Sequence, residues 1–191
     1  MERLALLEQQ AENEQIELFY ADESGISEQG YSPYGWQFKD EKVSIPVGHG
    51  QQLNCFGLLS RDNKLHFKTT TDTINTAFLI VFFDEFVLKI QKPTVVVLDN
   101  AKIHQSKAFK IRCKYWQARG LFFVYLPPYS PHLNRAAFRI IEKCWHELKQ
   151  RWISVEDYCS FETLTYAVQM ALMAVGTELF INFNPFNPND K

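Results

Sequence analysis

Two unbroken apolar runs dominate the middle of the chain, Thr94-Val95-Val96-Val97-Leu98 and Leu121-Phe122-Phe123-Val124-Tyr125-Leu126. Runs without polar alternation are expected of central strands covered on both faces. Upstream, Ile16–Ala21, Gln52–Ser60 and Lys64–Thr70 read as three more strands, the last two joined by the polar turn Arg61-Asp62-Asn63. Asp22-Glu23-Ser24-Gly25 reads as the turn that closes the first. Helical spacing appears over Asp72–Ile90, where Ile74, Phe78, Val81, Phe82, Phe86 and Leu88 form a wide apolar face. Ser106–Ala118 is a second helix, stopped by Gly120. Pro127-Pro128 ends the strand before a third helix, which runs to about Trp152. A fourth covers Phe161–Leu179, with Ser160 as its N-cap.

The resulting order, β-β-β-α-β-α-β-α and one more helix, predicts an α/β fold. Three antiparallel strands followed by alternating helices and strands give a mixed five-stranded sheet flanked by helices, the ribonuclease-H-like topology. The expected organisation is a linker helix over 1–15 with Leu4 and Leu7 on one side, a core domain over 16–152, a C-terminal helix over 153–181 packed on that domain, and a loose Asn/Pro-rich tail over 182–191. Gly30–Trp36 is aromatic and turn-rich and reads as an ordered loop.

Composition narrows the functional classes. At 191 residues and 46% apolar content one well-packed domain is expected. Cys55, Cys113, Cys144 and Cys159 are scattered, which indicates reduced thiols in a cytoplasm and not a zinc site or disulfide framework. The most apolar run, Ala77–Leu88, is short and broken by Asp84 and Glu85, so no membrane role is expected. A net charge of -2 does not suggest a broad polyanion-binding surface, but its distribution is uneven. Between Lys102 and Arg119 stand Lys102, Lys107, Lys110, Arg112, Lys114 and Arg119 with no acid, and Arg135, Arg139, Lys143, Lys149 and Arg151 surround Glu142. Lys102, His104, Lys107, Lys110, Arg135 and Arg139 are the candidate contacts to DNA phosphates.

Acids at the tips of buried strands are the candidate chemistry. Asp22 and Asp99 end the first and fourth strands and become neighbours if those strands pair in parallel; Glu142 on the later helix can close the group. Carboxylates grouped in this way hold hard divalent cations, and two such ions side by side activate a nucleophilic oxygen and stabilise a leaving one. Taken singly, each acid has an ordinary explanation as a turn, cap or surface helix residue. His104 is either a surface residue or a contact to a phosphate or metal-bound water, and Trp145 is core packing. Asp84, Glu85 and Glu147 sit beside no strand end. The joint pattern carries the argument.

Three segments together resemble the motifs of the mariner superfamily of DDE transposases, in its bacterial insertion-sequence branch: Tyr20-Ala21-Asp22-Glu23-Ser24, Val97-Leu98-Asp99-Asn100-Ala101-Lys102-Ile103-His104, and Leu126-Pro127-Pro128-Tyr129-Ser130-Pro131-His132-Leu133-Asn134. The resemblance spans roughly Ile16 to Trp152. It implies that Asp22, Asp99 and Glu142 bind two Mg²⁺ ions, for which Mn²⁺ can substitute. It implies cleavage at the ends of a mobile element and joining of the 3′-hydroxyls to a TA target in double-stranded DNA, by a homodimer, in a bacterial cytoplasm at the nucleoid. Asn100, Pro128, Tyr129, Ser130, Pro131, Asn134 and Trp145 correspond to its structural motif positions.

The chain departs from the family pattern twice. The helix-turn-helix region that reads the element ends does not precede Ile16, so the chain is expected to be a catalytic domain, a truncated copy or one product of a split gene, with DNA reading supplied separately. The family usually places its acid three residues after the Asn, where Ala137 stands here; Glu142 follows five extra residues, Arg135-Ala136-Ala137-Phe138-Arg139. Inserted inside a fixed helix, five residues turn the acid by about 140° and move it about 7.5 Å. Placed before the helix, or as an added turn at its start, they leave Glu142 facing the site. An inactive remnant that binds DNA weakly or dimerises, and a ribonuclease-H-like nuclease without strand transfer, are the alternative functions; the second does not account for Pro127-Pro128-Tyr129-Ser130-Pro131.

Overall fold

The computed structural model describes residues 2–29, 50–126 and 131–183, with side chains for 3–29, 50–126 and 139–183. The elements are α1 (Glu2–Glu12), β1 (Glu17–Ser27), β2 (Gln52–Leu59), β3 (Leu65–Thr70), α2 (Thr76–Phe86), β4 (Thr94–Leu98), α3 (Lys107–Gln117), β5 (Leu121–Tyr125), α4 (Pro131–Glu147) and α5 (Phe161–Ala174). A π-helical turn, Leu148–Trp152, continues α4, and a short 3-10 turn, Glu156–Cys159, precedes α5. The sheet order is β3-β2-β1-β4-β5. β1–β2 and β2–β3 are antiparallel, whereas β1–β4 and β4–β5 are parallel. This is the mixed ribonuclease-H-like sheet that the element order predicts.

Strand alternation sorts the core into two layers. Leu18, Tyr20 and Ile26 of β1 and Val95 and Val97 of β4 face α4 and α5. Phe19 and Ala21, with Val96 and Leu98, face α2 and α3, where a cluster of edge-on rings forms around Phe83, Phe109, Trp116 and Phe123. All five residues of β4 are buried, as a central strand requires.

Several boundaries differ from the sequence expectation. β1 does not turn at Gly25 but continues to Ser27, with Gly25 opposite Asn54. Glycine serves there as a place for the Gln52 side chain, since an added Cβ would lie 2.1 Å from Gln52 Nε2. α2 is shorter than Asp72–Ile90 because Asn75 caps it, its side chain accepting from Phe78 N–H at 3.0 Å. The buried face of α2 is Leu79, Phe82, Phe83 and Phe86; Val81 and Leu88, expected inside, are exposed. A helix apolar nearly all round does not reveal which stripe is covered. α5 stops at Ala174 instead of Leu179, because Gly176 takes φ +84° and passes 2.4 Å (from its would-be Cβ) from the Asn63 carbonyl oxygen.

The N-terminal helix is docked onto the sheet, not merely linked to it. Leu4 belongs to the core. Glu8, its side chain 3% exposed, takes a hydrogen bond from the Tyr20 hydroxyl and is paired with Arg61 Nε at 2.8 Å. At the other end, Lys143 Nζ donates to the carbonyl of Asn182, so the first residues of the expected loose tail are held; the rest of the tail and the Gly30–Trp36 loop lie outside the described residues.

The close approach of α4 to the sheet depends on Gly57 of β2, which pairs with Asp22. A Cβ there would meet Trp145 Cη2 at 2.9 Å and Cζ2 at 3.1 Å. Gly57→Ala relieves about 0.5–1 kcal/mol of backbone entropy cost, but forcing Trp145 outward costs about 1–3 kcal/mol. The variant is therefore expected to be less stable by about 1 kcal/mol in urea denaturation; a stabilised variant would show that Trp145 does not rest on the sheet.

Candidate active site

The parallel ladder between β1 and β4 ends at Tyr20↔Val97. Continuing the register two residues brings Asp22 opposite Asp99, as parallel pairing of these strands predicts. Asp22 lies on the α4 face of β1 by alternation with Leu18 and Tyr20. Glu142, exposed on α4, completes one side of an open cleft of about 370 Å³ lined also by Asp22, Glu23, Ser24, Trp145, His146, Lys149 and Gln150. Residues 135–139 are helical and belong to α4, which starts at Pro131. Glu142 nevertheless faces Asp22, because Ile141 and Trp145 anchor the C-terminal half of α4 against Gly57. Residues 135–139 thus lie inside α4, and Glu142 and Asp22 line the same cleft.

Burial pushes the Asp22 carboxyl up to about 7, reinforced by the charges of Glu23, Glu142 and Asp99. Asp99 is held the other way. Its Oδ1 accepts from His104 Nδ1 at 2.8 Å and from Ala101 N–H at 3.0 Å, which together keep its carboxyl below the usual range despite partial burial. Oδ2 of Asp99 has no hydrogen-bond partner among the described residues, and the side chain is 46% exposed. Asn100 braces the same loop by accepting from Gln105 Nε2 at 2.8 Å, while the loop is fixed from outside by Thr76 Oγ1 and the Tyr125 hydroxyl, which donate to the carbonyls of Ile103 and His104.

His104 does not present itself to DNA. It is 2% exposed, wedged between Asp99 and Glu23, so the expected phosphate contact is not available to it. Burial opposes its charge, yet the bond to Asp99 and the Glu23 carboxylate outweigh that cost and raise its pKa to about 9. Lys102, Lys107 and Lys110 are exposed, as are Lys114 and Arg119, whereas Arg112 pairs with Asp84 at 2.7 Å. Arg139 is exposed; the side chains of Arg135, Pro131 and Asn134, and the whole of Pro128, Tyr129 and Ser130, lie outside the described residues. The competing acids are engaged elsewhere: Asp84 with Arg112 and Trp116, Glu85 with Lys68, Glu147 with Arg151.

Sequence reasoning missed two members of the cleft. Glu23 follows Asp22 and lines the edge of the cleft, but its carboxylate turns to His104 on the other side of the strand, 3.5 Å from Nε2. Lys149 lies seven residues after Glu142, two helical turns along one face, and falls in the π-helical turn, a distortion frequent at functional sites. Burial depresses the Lys149 pKa, with Cys55 and Asp22 pulling the other way.

As they stand, no three His, Cys, Asp or Glu side chains among the described residues are grouped tightly enough to ligate a metal ion. The donor set nevertheless suits a hard divalent cation: oxygen-only ligands from three elements, one carboxylate oxygen left open on Asp99, and mutually repelling acids at Asp22 that a cation would relieve.

The family profile described as DDE superfamily endonuclease matches residues 17–165, and the chain belongs to that family. No curated protein sequence matches it. Among solved structures, the catalytic core domain of BIV integrase is similar with a TM-score of 0.54 at 12% identity, covering 85% of each chain. The Mos1 transposase paired-end complex with left transposon end is similar at 0.53 and 16% identity, covering 89% of this chain and 52% of that one. A chain of the simian T-cell lymphotropic virus intasome in complex with PP2A regulatory subunit B56 gamma gives 0.59 at 11% identity, covering 86% and 50%. At these identities the likeness is one of fold, and the chain spans about half the length of the intasome and Mos1 chains. Among the described residues no helix is long and apolar enough to cross a membrane.

The raised Asp22 pKa has a stability consequence in metal-free buffer. Folded Asp22 retains a proton up to about pH 7 that the unfolded chain, with the ordinary value of 3.8, releases earlier, so stability falls as pH rises between these values. Asp22→Asn should match wild type near pH 4 and exceed it by on the order of 2–4 kcal/mol at pH 8. Urea denaturation at both pH values checks this; equal stability at pH 8 would show that Asp22 is not crowded.

Proposed function

We propose that this chain is the catalytic domain of a transposase of the mariner superfamily, in its bacterial insertion-sequence branch, and that it cuts and joins DNA strands at element ends. The observation that carries the reading is that Asp22 and Glu142, from β1 and α4, line one open cleft while the charges of both Glu142 and Asp99, at the end of β4, bear on the Asp22 carboxyl. Membership of the DDE endonuclease family and likeness to a transposase solved with its transposon end support it.

In this reading Asp22, Asp99 and Glu142 hold two Mg²⁺ or Mn²⁺ ions. Bound there, the ions would lower the pKa of water or of a DNA 3′-hydroxyl and neutralise charge on the scissile phosphate. The chain's own groups do the rest. Asp99 offers one fixed oxygen, Glu142 closes the cleft from the helix side, and Lys149 supplies a cation beside the carboxylates. The exposed Lys102, Lys107 and Lys110, with Arg139 on α4, supply phosphate contacts along the DNA backbone without reading sequence. Target choice at TA, homodimer assembly on DNA and element-end reading by a helix-turn-helix region complete the proposal, which places the protein in the bacterial cytoplasm at the nucleoid.

Cleavage and joining of a pre-nicked element-end duplex with Mn²⁺ tests the reading. Asp22→Ala, Asp99→Ala and Glu142→Ala should each reduce activity more than about 100-fold, beyond the 10–100-fold typical of losing a supporting residue. Activity that survives Glu142→Ala would overturn its role. Activity that appears only after deletion of residues 135–139 would instead mark the natural chain as an inactive remnant, and nicking without joining would favour a nuclease.

A further inference from the structure

We propose that Glu23 and His104 form a positioning relay that sets which oxygen of Asp99 meets the metal; the inference rests on the metal-binding reading above and goes one layer behind it. Backbone pairing between β1 and β4 stops at Tyr20↔Val97, two residues short of the acids. Above that point the His104 side chain spans the gap. Its Nδ1 donates to Asp99 Oδ1 at 2.8 Å, and its Nε2 stands 3.5 Å from Glu23 Oε1. The imidazole is 2% exposed, and both Nε2 and Glu23 Oε1 are closed to solvent without a hydrogen-bond partner among the described residues, facing one another at 3.5 Å.

Adjacent residues of β1 thus serve opposite faces of one site. Asp22 points to the cleft under α4, while Glu23 backs the histidine from the α2–α3 side. With Oδ1 occupied by His104 and by the Ala101 amide, Asp99 can present only Oδ2, which prevents it from closing on one ion with both oxygens. An exposed aspartate at a strand tip would otherwise sample several rotamers. Outer groups that orient a ligating carboxylate typically contribute 10–100-fold to metal affinity.

The test is Mn²⁺ affinity by calorimetry, with urea stability in EDTA measured on the same proteins. His104→Leu should bind Mn²⁺ about tenfold or more weakly. His104→Asn, whose amide nitrogen falls near the Nδ1 position, should stay within about threefold of wild type, whereas His104→Gln, whose amide falls near Nε2, should weaken as Leu does. Glu23→Gln should give a smaller loss in the same direction. Should His104→Leu fail to fold, the Asn and Gln comparison decides. Wild-type affinity in His104→Gln, or equal losses in Asn and Gln that track stability, would reduce His104 to a packing residue while leaving the metal site standing. No Mn²⁺ binding by wild type would remove the metal reading and this inference with it.

Discussion

The parallel pairing of β1 with β4 is the constraint on which the site depends. Four registered pairs, Glu17↔Thr94 to Tyr20↔Val97, fix the height of two strands whose next polar residues are both aspartates. A slip of one residue would send Asp22 to the α2–α3 face and leave Asp99 alone at the cleft. The register is in turn enforced by burial, since Phe19 and Tyr20 are fully inaccessible on opposite faces and neither can exchange places with a carboxylate. Beyond the last pair, β1 and β4 are bridged by the His104 side chain, while Gly57 and Trp145 set the approach of α4 to the sheet.

This arrangement concentrates cost where it is useful. Asp22, Glu23, Asp99 and Glu142 crowd the end of one strand pair, opposed within reach by His104 and Lys149. Such crowding destabilises the metal-free fold and favours whatever cation or phosphate-bearing partner can relieve it. The opposite end of the sheet is balanced differently: Glu8 is neutralised by Arg61 and hydrogen bonded by Tyr20, a closed network that ties α1 to the sheet.

Much of this was legible in the sequence, for physical reasons that also explain what was not. The runs at Thr94 and Leu121 identify central strands because only burial on both faces tolerates such composition, and the strand-end positions of Asp22 and Asp99 follow from them. Gly25 misled because a glycine after polar residues signals a turn, whereas here it accommodates the Gln52 side chain across an unbroken ladder. The role of Glu8 has no local signal, since its partner Arg61 lies 53 residues away in a turn. His104 looked like surface, because nothing local shows that the loop after β4 folds back over the strand end. The position of Glu142 depended on how α4 meets β2, a tertiary contact through Gly57 that no helical periodicity encodes.

The central claim is that three acids from three separate elements form one centre for divalent cations. Anomalous diffraction from crystals soaked in Mn²⁺ tests it most directly. The account predicts manganese between Asp22, Asp99 and Glu142, with Asp99 bound through Oδ2 and its Oδ1 still on His104. Manganese bound elsewhere, or an Asp99 that ligates through both oxygens after releasing His104, would contradict it.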